Sequence, residues 1–485
     1  MQMKKIVTFF VALTVIALDS LAQTLAFPTA EGFGKYASGG RGGKVVEVTN
    51  LNDAGEGSLR WALTEAGREN ATIVFRVRGI IDIGPDPQRK HERSIRAKLK
   101  NVTIAGQTAP GEGILLRGGK LNLGGSENVI IRNIRSRLGT IGDPAKSKKE
   151  NFIEGGAIGI ENARNIIIDH CCFGWSGEEN VTMYDNHYTT MQWCIVHEGL
   201  HDAGHKKGVR GYGCQWGGSP ATFHHNLLAH NDSRSARING ASNPKGDRNV
   251  FLEYQNNVNF NWGRRNSCYG GENEAGEGST HECNFVGNYY KPGPAHPDDN
   301  VFIELSNARK GKRLTSPSRW YMNDNVMEGV KSRDSWTLIS NQTDFTIDQQ
   351  KSVHRLQTTD YQPYLTKAES AKKAYKKVLA KAGTIHRDAV ERRIIEDVRS
   401  GRPRYQGLSA HKPGIIDSPA DAEGWPQYAD AQPVADNDHD GMADEWERAH
   451  GLNPNDPDDR NKVISKAGYT ALEVYLNSLM GELGE

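Results

Sequence analysis

The sequence predicts an all-β chain, a right-handed parallel β-helix, and three observations point there. A short apolar strand ending in Asn or Cys recurs along the chain. It reads Ile130-Ile131-Arg132-Asn133, Ile168-Asp169-His170-Cys171 and Met191-Gln192-Trp193-Cys194, then Phe223-His224-His225-Asn226, Glu253-Tyr254-Gln255-Asn256-Asn257, Phe285-Val286-Gly287-Asn288 and Met322-Asn323-Asp324-Asn325. Aligning Asn133, Cys171, Cys194, Asn226, Asn257, Asn288 and Asn325 gives steps of 38, 23, 32, 31, 31 and 37, a mean of 32 residues. Constant strands with uneven steps fit a solenoid whose coils share strands while their loops vary. The composition agrees: only 36% of the 485 residues are hydrophobic and 53 are glycine, which suits many short strands joined by turns.

Stacked coils set equivalent side chains one strand spacing apart, about 4.8 Å. An inward Asn at each bend then bonds the Asn above and below, which satisfies amides that burial would penalise. The competing reading, a β-sandwich with chance asparagines, would show tight hairpins at spacings near ten residues.

At the N-terminus Lys4 and Lys5 precede an apolar run from Ile6 to Leu18, and Ser20-Leu21-Ala22 offers small residues for cleavage. The run is short for a membrane span and reads as a signal peptide over 1–22, hence an exported protein with no stable membrane insertion. The solenoid is expected over 23–365. Ala- and Lys-rich stretches from Ala368 to Ala382 and from Asp388 to Val398 predict helices in an extension, 366–415, packed on the solenoid. Gly-, Pro- and Asp-rich sequence from 401 to 435 reads as a linker or loosely wrapped segment.

Residues 416–485 form an acidic module whose charge balance is −12, which leaves +13 on the rest of a chain of net charge +1. A cationic body attracts a polyanion, and export favours an acidic glycan over nucleic acid. In the tail, Asp436, Asp438 and Asp440 stand at positions one, three and five of a loop resembling a calcium hand. Gly441 is at six, Met442 lends a carbonyl at seven, Asp444 is at nine and Glu447 at twelve. Close carboxylates repel without a cation, so Ca2+ is expected there in a structural role. Gly468 to Glu473 offers a second helix to pack against the loop, as in dockerin-like modules. The loop is expected to be a flexible tail that the solenoid core does not need.

The six cysteines (171, 172, 194, 214, 268 and 283) match no zinc spacing and fall within apparent strands, which favours buried packing; disulfides stay open. Gly39 to Lys44 mimics a phosphate loop, but its spacing and the following Val45 are wrong. Basic residues gather after two successive strands, as His205-Lys206-Lys207-Gly208 and as Arg234 to Arg237, and adjacent coils would bring them to one face.

The chain also resembles polysaccharide lyase family one of the pectate lyase superfamily, in a Bacteroidetes-like secreted form. The likeness lies in Ala26 to Gly34, Val48 to Asp53 with Ser58-Leu59-Arg60, Ile168 to Cys171, Tyr212-Gly213 with Trp216-Gly217-Gly218, and His224 to His230. It covers about residues 26–330 and adds a C-terminal extension. The family's Arg-x-Pro-Arg motif stands as Arg234-Ser235-Ala236-Arg237. The resemblance implies that Arg234 is the catalytic base, Arg237 a substrate contact, and Lys207 the lysine that holds the uronate carboxylate. Lys206 is the adjacent alternative, and Arg210 joins the substrate contacts. Family acidic residues that bind catalytic Ca2+ map onto Glu154 and onto Glu178 or Glu179. Their further positions carry Gly156 and Thr182 or Met183, and the motif's Pro and a later Arg are Ala236 and Asn239. Asp169 and His170, within a strand, read as structural.

The implied activity is β-elimination on polygalacturonate or pectin by a secreted monomer. A pectin lyase acting on methylated substrate, and a noncatalytic β-helix that binds acidic glycan through its basic groove, are the alternatives.

Overall fold

The computed structural model describes residues 23–482 apart from 240–248, 265–266, 273–279, 307–315, 333, 354 and 356–358. The expected signal peptide, 1–22, lies outside the described residues. The chain winds through three all-parallel sheets of nine, ten and nine strands, one strand of each per coil. One coil runs from Glu179–Tyr184 in the first sheet to His187–Gln192 in the second and Ile195–His197 in the third. It then returns to the first sheet at Tyr212–Trp216, beside where it began. The architecture is a parallel β-helix.

Stacking of like on like builds the core. Ile73, Ile104, Ile131, Ile168, Met191, Phe223, Tyr254 and Phe285 occupy one register position on successive strands of the second sheet, and all are buried. The Tyr254 and Phe285 rings stack at 5.0 Å and 9°.

The expected column is present from its second member onward, the Cys171 N–H reaching Cys194 Sγ at 3.4 Å. The Cys194 N–H donates to Asn226 Oδ1 at 2.9 Å, that of Asn226 to Asn257 at 3.0 Å, that of Asn257 to Asn288 at 2.9 Å and that of Asn288 to Asn325 at 3.0 Å. Each Asn Nδ2 also donates to a backbone carbonyl one coil back, Asn226 to Met191 and Asn257 to Phe223. Asn133 does not belong to the column. Its place is held by Ile134, whose N–H reaches Cys171 Sγ at 3.5 Å, a step of 37 residues. Asn133 instead has φ 60°, in line with His170, Trp193, His225 and Asn256 one residue before each column member. Asn tolerates the left-handed conformation better than most residues, so the corner selects Asn at two adjacent positions for different reasons.

Two helices, Ala371–Lys381 and Ala389–Ser400, lie on the outer face of the third sheet. Val378, Leu379, Ile394 and Val398 pack there against Cys172, Ile195, Leu227 and Val258. Buried ion pairs cross the same interface: Arg135 with Glu391 at 2.5 Å, Arg137 with Asp388 at 2.6 Å and Arg393 with Glu198 at 2.7 Å. All six cysteines are buried and free.

The acidic tail is docked, which corrects the expectation of a flexible appendage. Met442, Leu472, Tyr475 and Leu476 pack on Val74 and Ala105 of the second sheet. Arg41 reaches Glu473 at 2.7 Å, and Arg132 bridges the buried Asp169 to Glu482. Among the described residues no helix is long and apolar enough to cross a membrane.

Candidate active site

Arg234 sits on the turn that returns the chain from the third sheet to the first. The turn is tied down locally, since the Cys214 N–H donates to the Arg234 carbonyl at 2.6 Å. A Cβ on Gly213 would lie 2.7 Å from that carbonyl oxygen, so the close approach requires glycine. Asn231, wholly buried, anchors the previous coil by accepting from the Gly199 N–H at 3.1 Å and donating to the Val196 carbonyl at 3.1 Å.

The Arg234 guanidinium lies 4.2 Å over the Tyr212 ring, with Arg210 at 4.6 Å and Arg264 at 5.5 Å from the same ring. Glu179 pairs with Arg234 and lies 3.8 Å from Arg210. Arg237, next along the turn, is held by Glu272 at 3.1 Å, and both it and Arg234 stand 5.7 Å from the Tyr269 ring. Burial pushes the Arg234 guanidinium below the usual arginine range and the nearby Arg237 charge adds to the fall, while Tyr269 and Glu272 pull it back up. The neutral guanidine is the only form with a lone pair to take a proton, and the Glu179 carboxylate paired with Arg234 favours the protonated form.

The basic residues of the preceding turn stand beside this group. Lys206 and Lys207 are exposed, with Lys206 3.6 Å from Glu154. The Lys207 N–H donates to His205 Nδ1 at 2.9 Å, and the other ring nitrogen meets Glu178 at 2.9 Å. The three carboxylates expected to hold catalytic calcium thus each face a cation or a histidine, and Glu154 is 61% exposed. Among the described residues they do not converge into a three-carboxylate group with oxygens within 4.8 Å. As arranged, the active-site carboxylates do not fit a metal, because Arg234 and Arg210 occupy Glu179 and His205 occupies Glu178. Asn239 is buried with both side-chain polar atoms unpartnered.

No family model matches the sequence. A probable pectate lyase C of Aspergillus flavus is 31% identical over 474 residues, covering 96% of this chain and 96% of its own. Its counterpart in Emericella nidulans is 31% identical over 478 residues, covering 97% of both. The chain belongs to the pectate lyase family. A pectate trisaccharide-lyase of Thermotoga maritima is 33% identical over 206 residues, covering 41% of this chain and 49% of its own. The crystal structure of Jun a 1, the major allergen from cedar pollen, superposes with a TM-score of 0.50 at 14% identity, over 73% of this chain and 93% of that one, a likeness of fold.

In this pectate lyase family member the tail loop contrasts with the active site. Oxygens of Asp436, Asp438 and Asp440 lie within 4.8 Å of one another, and so do those of Asp440, Glu447 and Asp459. Both oxygens of Asp438 and of Glu447 are buried without a hydrogen-bond partner, and Glu447 is 0% exposed. Burial, then the neighbouring carboxylates, pushes Asp440 and Glu447 up to about 7. Such a set fits a hard divalent cation. Asp444, expected as the ninth-position ligand, is diverted: it accepts from the Asn437 N–H at 2.8 Å and pairs with Arg448 at 3.2 Å. Met442 turns its side chain into the apolar contact with the solenoid.

Sequence reasoning missed Asp459, Tyr269 and Glu272. Asp459 comes twelve residues after Glu447, past the end of the loop schedule. Tyr269 was reachable, because one mean repeat of 32 residues from Arg237 leads to it, and the two pair across adjacent strands.

Proposed function

We propose that this protein is an exported pectate lyase that cleaves polygalacturonate by β-elimination, with Arg234 as the base. The observation that carries the proposal is a largely buried Arg234 guanidinium, depressed by burial and by Arg237, at the edge of a basic surface. The names of the full-length relatives support the substrate class. Elimination needs little more than this equipment. The neutral guanidine of Arg234 takes the C5 proton of a galacturonate, the released electron pair forms the C4–C5 double bond, and the C4–O bond breaks. The departing oxygen leaves with a proton from solvent. Negative charge that builds on the uronate carboxylate is met by Lys207, with Lys206 beside it, and by Arg210 and Arg237. Tyr212 gathers three guanidiniums about one ring and so fixes the place of Arg234.

Calcium belongs to the tail in this reading. Asp436, Asp438, Asp440, Glu447 and Asp459 would hold it, and it would supply charge neutralisation that lets the module stay docked. No catalytic step passes through it. The test follows the ultraviolet absorbance of the unsaturated product end with polygalacturonate and with methylated pectin, each with and without chelator. Product from polygalacturonate is expected, with the initial rate little changed by chelator at a temperature well below melting. Product from methylated pectin alone would make the protein a pectin lyase, and product from neither would leave an acidic-glycan-binding β-helix.

A further inference from the structure

A cleft lies at a different corner of the coil from Arg234, where the second sheet turns into the third. It encloses about 1010 Å³, a size suited to several sugar rings. One wall carries His170 and Trp193 from successive coils, which stack at 6.1 Å and 14°, and Trp193 stacks in turn on the buried His225 at 4.3 Å and 23°. The opposite wall comes from the helical extension, with Lys381 at the end of its first helix and Arg387 in the turn after it.

Charge at this cleft is unbalanced. Each of its carboxylates meets an arginine: Glu112 meets Arg392 at 3.2 Å, Asp430 meets Arg78, and Glu482 meets Arg132 at 2.6 Å, which it shares with the buried Asp169. Lys381 is exposed, stands 5.9 Å from the Trp193 ring, and has no carboxylate within 4.0 Å among the described residues. Arg387 spends its donors on the Leu379 and Ala382 carbonyls that end the helix, so its charge too meets no carboxylate at that range. Lys381, with Arg387 capping the helix end behind it, faces the ring edges of Trp193 and His170, a setting for a ligand that carries carboxylates along an extended chain.

We propose that this corner is a second, noncatalytic binding site for a uronate-bearing oligosaccharide, which holds the polymer to the enzyme away from Arg234. The proposal rests on the pectate reading of the active site for its choice of glycan, while its test separates the two. Titration calorimetry with a galacturonate hexamer, in an Arg234→Ala background to prevent cleavage, is expected to resolve two sites. Lys381→Glu in that background should weaken one of them by at least about tenfold and leave the other unchanged. Lys381→Met, which keeps a long unbranched side chain and removes the charge, should give a smaller loss at the same site. In the enzyme with Arg234 intact, Lys381→Glu should leave kcat unchanged and raise KM for polygalacturonate. A single site, two sites indifferent to Lys381, or equal displacement by inorganic sulfate at the same concentration would overturn the proposal. Absence of unsaturated product from the unaltered protein would instead count against the catalytic reading, and the two-site titration would still stand or fall by itself.

Discussion

A guanidinium in water holds its proton above pH 12, and so makes a poor base. At Arg234 burial works against that proton, and so does the positive charge of Arg237, while Tyr269, Glu272 and the paired Glu179 carboxylate work for it. Arg237→Gln removes the second contribution and frees Glu272, which favours the protonated form. The sign is fixed: Arg234 must rise toward the ordinary arginine range, so the ascending limb of the kcat/KM profile should move to higher pH. Arg237→Lys should restore most of that position. A limb that stays put in Arg237→Gln, while kcat/KM falls, would make Arg237 a substrate contact alone. At this scale the family motif led to Arg234 and Arg237, because both stand within four residues of one turn. Their partners Glu272 and Tyr269 come from the next coil, and a reading of one turn does not contain them.

Among the elements, the acidic tail differs most from its sequence reading. The loop chemistry was legible, since three aspartates at alternate positions before a glycine repel one another unless a cation sits between them. Docking was not, because the apolar contacts of Met442, Leu472 and Tyr475 fall at spacings that serve a free-standing helix pair equally well. The proposed set includes Asp459 for a geometric reason: Asp444 accepts from the Asn437 N–H, and a short helical turn brings Asp459 beside Asp440 and Glu447. Free calcium at about a hundred times Kd adds about 2.7 kcal/mol to the folded state. Asp459→Asn and Asp440→Ala should each remove most of the calcium-dependent rise in Tm, while Asp444→Asn should keep it. The same Asp459→Asn protein should turn over substrate at the unaltered rate below its melting transition. A full calcium-dependent rise in Asp459→Asn would return the ninth-position ligand to Asp444.

For the whole molecule, periodicity was the strongest signal. The column Cys194, Asn226, Asn257, Asn288 and Asn325 set the coil length, and the stacked apolar position on the second sheet followed from it. The one-residue slip at Asn133 arose because left-handed corner and inward ladder both favour Asn. The helices on the third sheet were visible as elements, but their buried ion pairs were not, since Arg135 and Glu391 lie 256 residues apart. The solenoid brings the turn 198–211 and the turn 230–236 side by side on successive coils, and the proposed chemistry depends on that adjacency. The direct test compares formation of the unsaturated product from polygalacturonate by the unaltered protein and by Arg234→Ala, with thermal melting recorded for both. Matched melting is predicted, with a rate reduced by at least about 10²-fold, on the scale of a lost catalytic group. An Arg234→Ala protein that melts normally and keeps a rate near that of the unaltered enzyme would contradict it.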